Sequence, residues 1–130
     1  MKYFPVFLDL DNESIVLVGS GSGLAPKLAN LLKTNARLLV FSNSRDDYHD
    51  RLVASVRIEL NEGVPNREIL ETARLVYLDS SNVEVQRLVR SQCNALRVPV
   101  NAIDDAGASD FISSAIVDRD PVVIAVSSSG

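Results

Sequence analysis

A chain of 130 residues has the size of one domain with a real core. Its 46% hydrophobic and 23% charged residues exclude a disordered polypeptide, and no apolar run approaches the ~20 residues of a membrane-spanning helix. A net charge of −4 without a Lys/Arg cluster argues against nucleic acid as the main partner. A single Cys93 and a single His49 exclude an internal disulfide and a resident metal cage of N/S ligands. The lone thiol suits a reducing cytoplasm, and residues 1–10 lack the pattern of a signal peptide.

Short apolar runs alternate with helix-like stretches along the chain. Residues 14–19 (Ser-Ile-Val-Leu-Val-Gly) form a nearly continuous β-branched and apolar run, the pattern of a strand buried on both faces. Residues 24–33 place Leu24, Leu28, Leu31 and Leu32 at helical spacing. A second strand is expected over 36–41, a short helix over 46–55, a third strand over 56–60 and a helical turn over 66–73. A fourth strand comes at 75–78. Next is a helix over 82–96, with Val83, Val85, Leu88, Val89 and Leu96 on or near one face. A fifth strand spans 98–103, and two more lie near 116–118 and 122–126. Alternating β and α predicts an α/β fold, a Rossmann-like doubly wound and mainly parallel sheet. The final β-β pair breaks the alternation and is expected to add a differently directed strand at one edge. Residues 1–130 therefore read as one nucleotide-binding domain.

Gly19-Ser-Gly21-Ser-Gly23-Leu24 comes directly after the first strand and opens the first helix, the setting of a dinucleotide fingerprint. Gly19 would permit the tight turn. Gly21 would let the backbone approach a pyrophosphate resting on the helix N-terminus. Leu24 stands where the pattern asks for Gly or Ala. The second strand ends at Phe41-Ser-Asn-Ser44 with no Asp or Glu, so a ribose there would use Ser42, Asn43, Ser44 or backbone. Arg45 is close but not at the tip, and the reading leans to NAD over NADP. A glycine turn with no ligand remains the simpler alternative on this motif alone.

The acidic pair Asp104 and Asp105 sits just past the fifth strand, at the end of a parallel sheet where ligands bind. A carboxylate beside a bound substrate, shielded from water by its neighbour, can accept a proton. A turn rich in Asp, with one side chain capping the next turn of the chain, is the bland reading and fits Asp105 best. Asp118-Arg-Asp120 before Pro121 reads as a surface turn, Cys93 as partly buried packing, and His49 as a solvated residue among acidic neighbours.

Several segments together resemble the N-terminal domain of siroheme synthase and its stand-alone precorrin-2 dehydrogenase/ferrochelatase relatives. They are Tyr3-Phe-Pro-Val-Phe-Leu-Asp-Leu10, Val16-Leu-Val-Gly-Ser-Gly21 with Lys27, and Asn35-Ala-Arg-Leu-Leu-Val40. Most specific are Val100-Asn-Ala-Ile-Asp-Asp105 and the run from Asp110-Phe-Ile-Ser-Ser to Val126-Ser-Ser128. The resemblance implies oxidation of precorrin-2 to sirohydrochlorin with NAD, and often insertion of Fe2+ as a second substrate. It implies that Asp104 acts in dehydrogenation. It carries cofactor contacts to Ser22, Gly23, Asn43 and Ser44, beside Gly19 and Gly21. Ser128 matches a serine that is phosphorylated in some members, and Arg119 and Ser128 are the candidates for a substrate carboxylate. The family continues into dimerisation and methyltransferase domains that are expected to be absent here, and its full-length form implies a homodimer.

Two departures stand out. Leu24 replaces the family's Ala, and Leu78-Asp-Ser-Ser81 replaces its Ala-Ala-Thr-Asp after the fourth strand. They keep open a degenerate nucleotide-binding or regulatory module, or a non-catalytic domain. The tetrapyrrole carries many carboxylates while this chain is acidic, so a local basic patch from Lys27, Arg90, Arg97 and Arg119 is one way to receive it.

Overall fold

The computed structural model describes residues 1–20, 23–43 and 57–128. Five strands form one parallel sheet: β1 (Ser14–Gly19), β2 (Arg37–Ser42), β3 (Ile58–Glu62), β4 (Ala73–Asp79) and β5 (Val100–Ala102), in the order β3-β2-β1-β4-β5. Helix α1 (Leu24–Leu31) connects β1 to β2, α2 (Arg67–Thr72) precedes β4, and α3 (Val83–Leu96) connects β4 to β5. The expected doubly wound Rossmann-like sheet is therefore present. The expected helix over 46–55, with His49, lies outside the described residues.

The central strands are apolar on both sides because both sheet faces are covered. On one face, Ile15, Leu17, Leu38, Val40, Leu75 and Tyr77 pack with Leu24, Leu28 and Leu31 of α1. On the other, Val16, Val18, Leu39, Phe41, Val76, Leu78 and Val100 pack with Leu70 of α2 and Val89 and Cys93 of α3. The stripe that α3 turns inward is Val85, Val89, Cys93 and Leu96, at spacings of four, four and three. Val83 and Leu88 lie off that stripe and stay exposed, so the apolar face is narrower than expected. Cys93 is fully buried rather than partly so.

Local chemistry fixes the ends of the helices. Asn66 Oδ1 accepts from Ile69 N at 3.0 Å to start α2. Asn82 Oδ1 accepts from Glu84 N and Val85 N to start α3. Arg97, in the left-handed region at φ 57°, closes the end of α3. The guanidinium of Arg57 donates to the carbonyls of Thr34 and Leu32, which lie just past α1.

The last two strands, β6 (Ala115–Arg119) and β7 (Val122–Val126), pair antiparallel as an extra C-terminal unit. They form a sheet of their own and do not extend an edge of the main one, which corrects the expected placement. The outer edge of β5 explains why. Asp110 takes it up by donating its N–H to Val100 O at 2.7 Å and accepting Val100 N on its carboxylate at 2.9 Å. Ser109 Oγ accepts from Ala102 N and also meets Ala102 O. With those groups occupied, no further strand can add there.

Candidate functional site

From β1 the chain winds outward to β2 and β3, then returns to β4 and β5 on the other side of β1. The switch lies between β1 and β4. A crevice opens above the carboxyl ends of the strands at such a point. A cavity of about 180 Å³ occupies this place, with Gly19, Ser20, Ser42, Asn43, Gly63, Ser80, Ser81 and Asn82 around its rim. Val18, Phe41, Val64 and Val85 supply an apolar floor. A largely polar rim over a small apolar floor can meet the hydroxyls of a sugar.

Gly19 has φ 125°, a conformation side chains avoid. A β-carbon there would lie 1.6 Å from the carbonyl oxygen of Asp79, so the turn after β1 is pressed against the tip of β4. Gly23 is the N-cap of α1. A β-carbon on it would lie 2.5 Å from Ile103 Cγ2 and 2.9 Å from Asp79 Oδ2. The tips of β1, β4 and β5 thus converge on the glycine turn. Pro26 is the third helical residue, where its missing N–H costs nothing. Asn43 lies in the cavity wall beside Ser42. Gly21, Ser22 and Ser44 lie outside the described residues.

Asp104 sits on the neighbouring strand tip. Asp105 N donates to Ala102 O at 3.1 Å and closes a β-turn in which Asp104, at φ 60°, is the third residue. That position favours Gly or Asn and tolerates Asp, whose short polar side chain also visits the left-handed region. Ile103 N donates to Leu78 O and keeps the turn joined to β4. Asp104 and Asp105 are both exposed in this domain, so the expected shielding by the neighbouring carboxylate is not found. Asp105 instead caps the short 3-10 turn Ala106–Ala108 by accepting from Ala108 N at 3.0 Å, the structural role read for it.

The loop carrying Asp104 is stapled from several sides, which sequence reasoning missed. Ser109 Oγ reaches Asp105 O at 2.7 Å. Buried Asn101 donates its Nδ2 to Phe111 O at 2.8 Å, and the ring of Phe111 meets Tyr77 edge-on with centroids 5.4 Å apart. Arg90 grips the Asp110 carboxylate with two hydrogen bonds of 2.6 and 2.7 Å. The guanidinium holds that carboxyl below the usual carboxylate range, and Val100 N–H acts in the same direction. Burial pushes the nearby Cys93 thiol up to about 11. The signal for the staples was the density of Asn, Ser and Asp over 101–110, but spacing alone does not say which of them faces inward.

The proposed basic patch is not assembled. Arg90 is committed to Asp110, Arg97 ends α3, and Arg119 stands on the separate hairpin, donating to Asp118 O. Arg119 lies at the turn end of that hairpin, whereas Ser128 lies beyond Val126 at the other end. About 14 Å of strand separates the two ends, so Arg119 and Ser128 do not share one contact point. Among the described residues no group of three His, Cys, Asp or Glu could hold a metal ion, and no helix is long and apolar enough to cross a membrane.

A family model described as "Putative NAD(P)-binding" matches residues 6–115, most of the chain and all five strands of the parallel sheet. The chain belongs to this NAD(P)-binding family. Within it, the chain is similar over its whole length to curated siroheme synthases. It is 35% identical to siroheme synthase 3 of Aeromonas hydrophila, covering 28% of that protein. It is 32% identical to siroheme synthase of Pseudoalteromonas atlantica, covering 28% of it, and 34% identical to that of Neisseria meningitidis, covering 27%. The chain thus spans just over a quarter of the length of these relatives. A solved structure titled SirC, precorrin-2 dehydrogenase, superposes with a TM-score of 0.77 at 17% identity, covering 97% of this chain and 62% of that one. At that identity the match shows the fold, and the siroheme synthases at 32–35% identity over the whole chain bear out the resemblance drawn from the motifs.

Proposed function

We propose that this NAD(P)-binding domain oxidises precorrin-2 to sirohydrochlorin, with NAD as hydride acceptor and Asp104 as proton acceptor. The supporting observation is the convergence of the glycine turn, Asn43 and the Asp104 turn on the tips of β1, β2, β4 and β5. Gly19, Gly21, Ser22 and Gly23 would hold the pyrophosphate, and Asn43 and Ser44 the adenosine ribose. NAD is preferred because no Arg stands immediately at the tip of β2 to meet a 2′-phosphate. The cofactor supplies the hydride chemistry when bound. The chain's part is to orient it across the sheet switch point and to place a carboxylate at the tip of β5. The rigid loop stapled by Asn101, Ser109 and Asp110 keeps Asp104 aimed while the macrocycle covers it and excludes water.

The names of the siroheme synthase relatives support this substrate class. Fe2+ insertion is a further step of the same reading, with Fe2+ as a substrate rather than a resident metal. Arg119 and Ser128, at separate ends of the hairpin, would meet different carboxylates of the tetrapyrrole. The buried thiol of Cys93 suits the cytoplasm, and a homodimer is the expected assembly of a longer form.

The test is anaerobic turnover of precorrin-2 with NAD+, monitored by NADH absorbance, in this chain and in any longer native form. Turnover that falls about 10²–10⁴-fold in Asp104→Asn supports the reading. An unchanged rate in Asp104→Asn contradicts the role of Asp104. A second reading, a nucleotide-binding module without turnover, is favoured by the unusual Asp79 beside Gly23. NAD+ binding with no precorrin-2 oxidation by the longest native form would establish it.

A further inference from the structure

Asp79 is the acidic residue in Leu78-Asp-Ser-Ser81, at the carboxyl tip of β4, and sequence reasoning gave it no role. Its backbone carbonyl packs against Gly19, and its carboxylate lies against Gly23, the N-cap of α1. Both glycines belong to the turn on which a dinucleotide's pyrophosphate would rest. The helix brings no acidic residue of its own to its first turn, and Gly23 provides no capping side chain. The carboxylate of Asp79 therefore supplies the negative charge that the N-terminal end of α1 favours. Asp79 is only partly exposed and none of its side-chain atoms takes part in a hydrogen bond or ion pair among the described residues. Its charge is left to act on this turn.

We infer that Asp79 is an affinity and specificity determinant of the cofactor turn, acting as a built-in anion that opposes the pyrophosphate of a dinucleotide. This rests on the NAD(P) reading above. A diphosphate brings two negative charges to a turn already faced by one. At separations near 5 Å and the high dielectric of a partly exposed site, such repulsion weakens binding by about tenfold. The same charge stabilises the cofactor-free domain by facing the helix end. One side chain thus trades cofactor affinity for stability of the empty turn.

The experiment compares the unaltered chain with Asp79→Asn, which keeps the shape and removes the charge. Calorimetric titration with NAD+ at about 50 mM and about 500 mM salt is combined with thermal melting of the cofactor-free proteins. The expected result is about tenfold tighter NAD+ binding by Asp79→Asn at low salt, with the gain shrinking at high salt as charges are screened. The cofactor-free variant should melt about 1–4 °C lower. Equal or weaker NAD+ binding by the variant overturns the role of Asp79 while leaving the cofactor reading intact. So does a gain that is the same at both salt concentrations, which would mean a change of shape rather than of charge. Saturable NAD+ binding by neither protein overturns the cofactor reading itself, and the inference with it.

Discussion

At the scale of single residues, backbone conformation separates the residues that the turns demand from those that chemistry demands. Gly19 is of the first kind: its φ of 125° and the carbonyl of Asp79 leave no room for a side chain. Gly19→Ala should cost about 3 kcal/mol or more, measured by urea unfolding, because strain and overlap with backbone add. Asp104 is proposed to be of the second kind. Its φ of 60° would be served as well by Asn or Gly. Asp104→Asn should leave the melting temperature nearly unchanged while turnover falls about 10²–10⁴-fold, whereas Asp104→Val should destabilise by about 1–2 kcal/mol through backbone strain. Cys93 combines complete burial with a thiol pushed up to about 11. The unfolded chain ionises this thiol above its usual value near 9, while the folded chain keeps it protonated until about 11. Its contribution to stability is complete below pH 9 and is lost between pH 9 and 11. Urea unfolding across that range should show a decline that is shallower in Cys93→Ala. Tyr77, also raised by burial, adds its own decline above pH 10 in both proteins.

At the scale of elements, the loop after β5 is the organising feature of the site. Asp110 joins α3 to β5 through Arg90 and Val100 N–H, and it does so a few residues from Asp104. Asp110→Ala should destabilise the domain by about 2–4 kcal/mol, since a charge-assisted pair is lost and a strand N–H is orphaned. The carboxyl of Asp110 is held low, so its contribution is complete above the usual carboxylate value near 3.9. It disappears as the pH falls through the lower folded value. Unfolding midpoints at pH 3 and pH 7 should therefore differ less in Asp110→Asn than in the unaltered chain. This part of the fold was only half legible in the sequence. Apolar patterning identified β1 and α3 closely because their burial is continuous or strictly spaced, and β7 because its residues form an unbroken apolar, mostly β-branched run although they stay exposed. The caps Asn66 and Asn82 fell where a helix start needs an acceptor. The staples at Asn101, Ser109 and Asp110 were not legible as staples. They join residues seven to twenty positions apart, a separation at which local pattern carries no information.

At the scale of the whole molecule, the doubly wound sheet was readable from alternation alone, but the place of the last two strands was not. Pairing with the main sheet depends on whether β5 still has unpaired edge groups, and Ser109 and Asp110 occupy them. The hairpin therefore stands as its own sheet, with all ten of its strand residues exposed. The identity of the family came from ordered motifs over the full chain. The glycine turn gained meaning only when β4 and β5 were seen to press on it through Asp79 and Ile103. The proposed function requires that this turn and the crevice beside Asn43 hold a nicotinamide dinucleotide. The most direct measurement is calorimetric titration of the chain with NAD+, repeated with Asn43→Ala. The expected result is saturable one-to-one binding that weakens at least several-fold in Asn43→Ala through loss of ribose contacts. Absence of saturable heat from the folded, unaltered chain at millimolar NAD+ would contradict it.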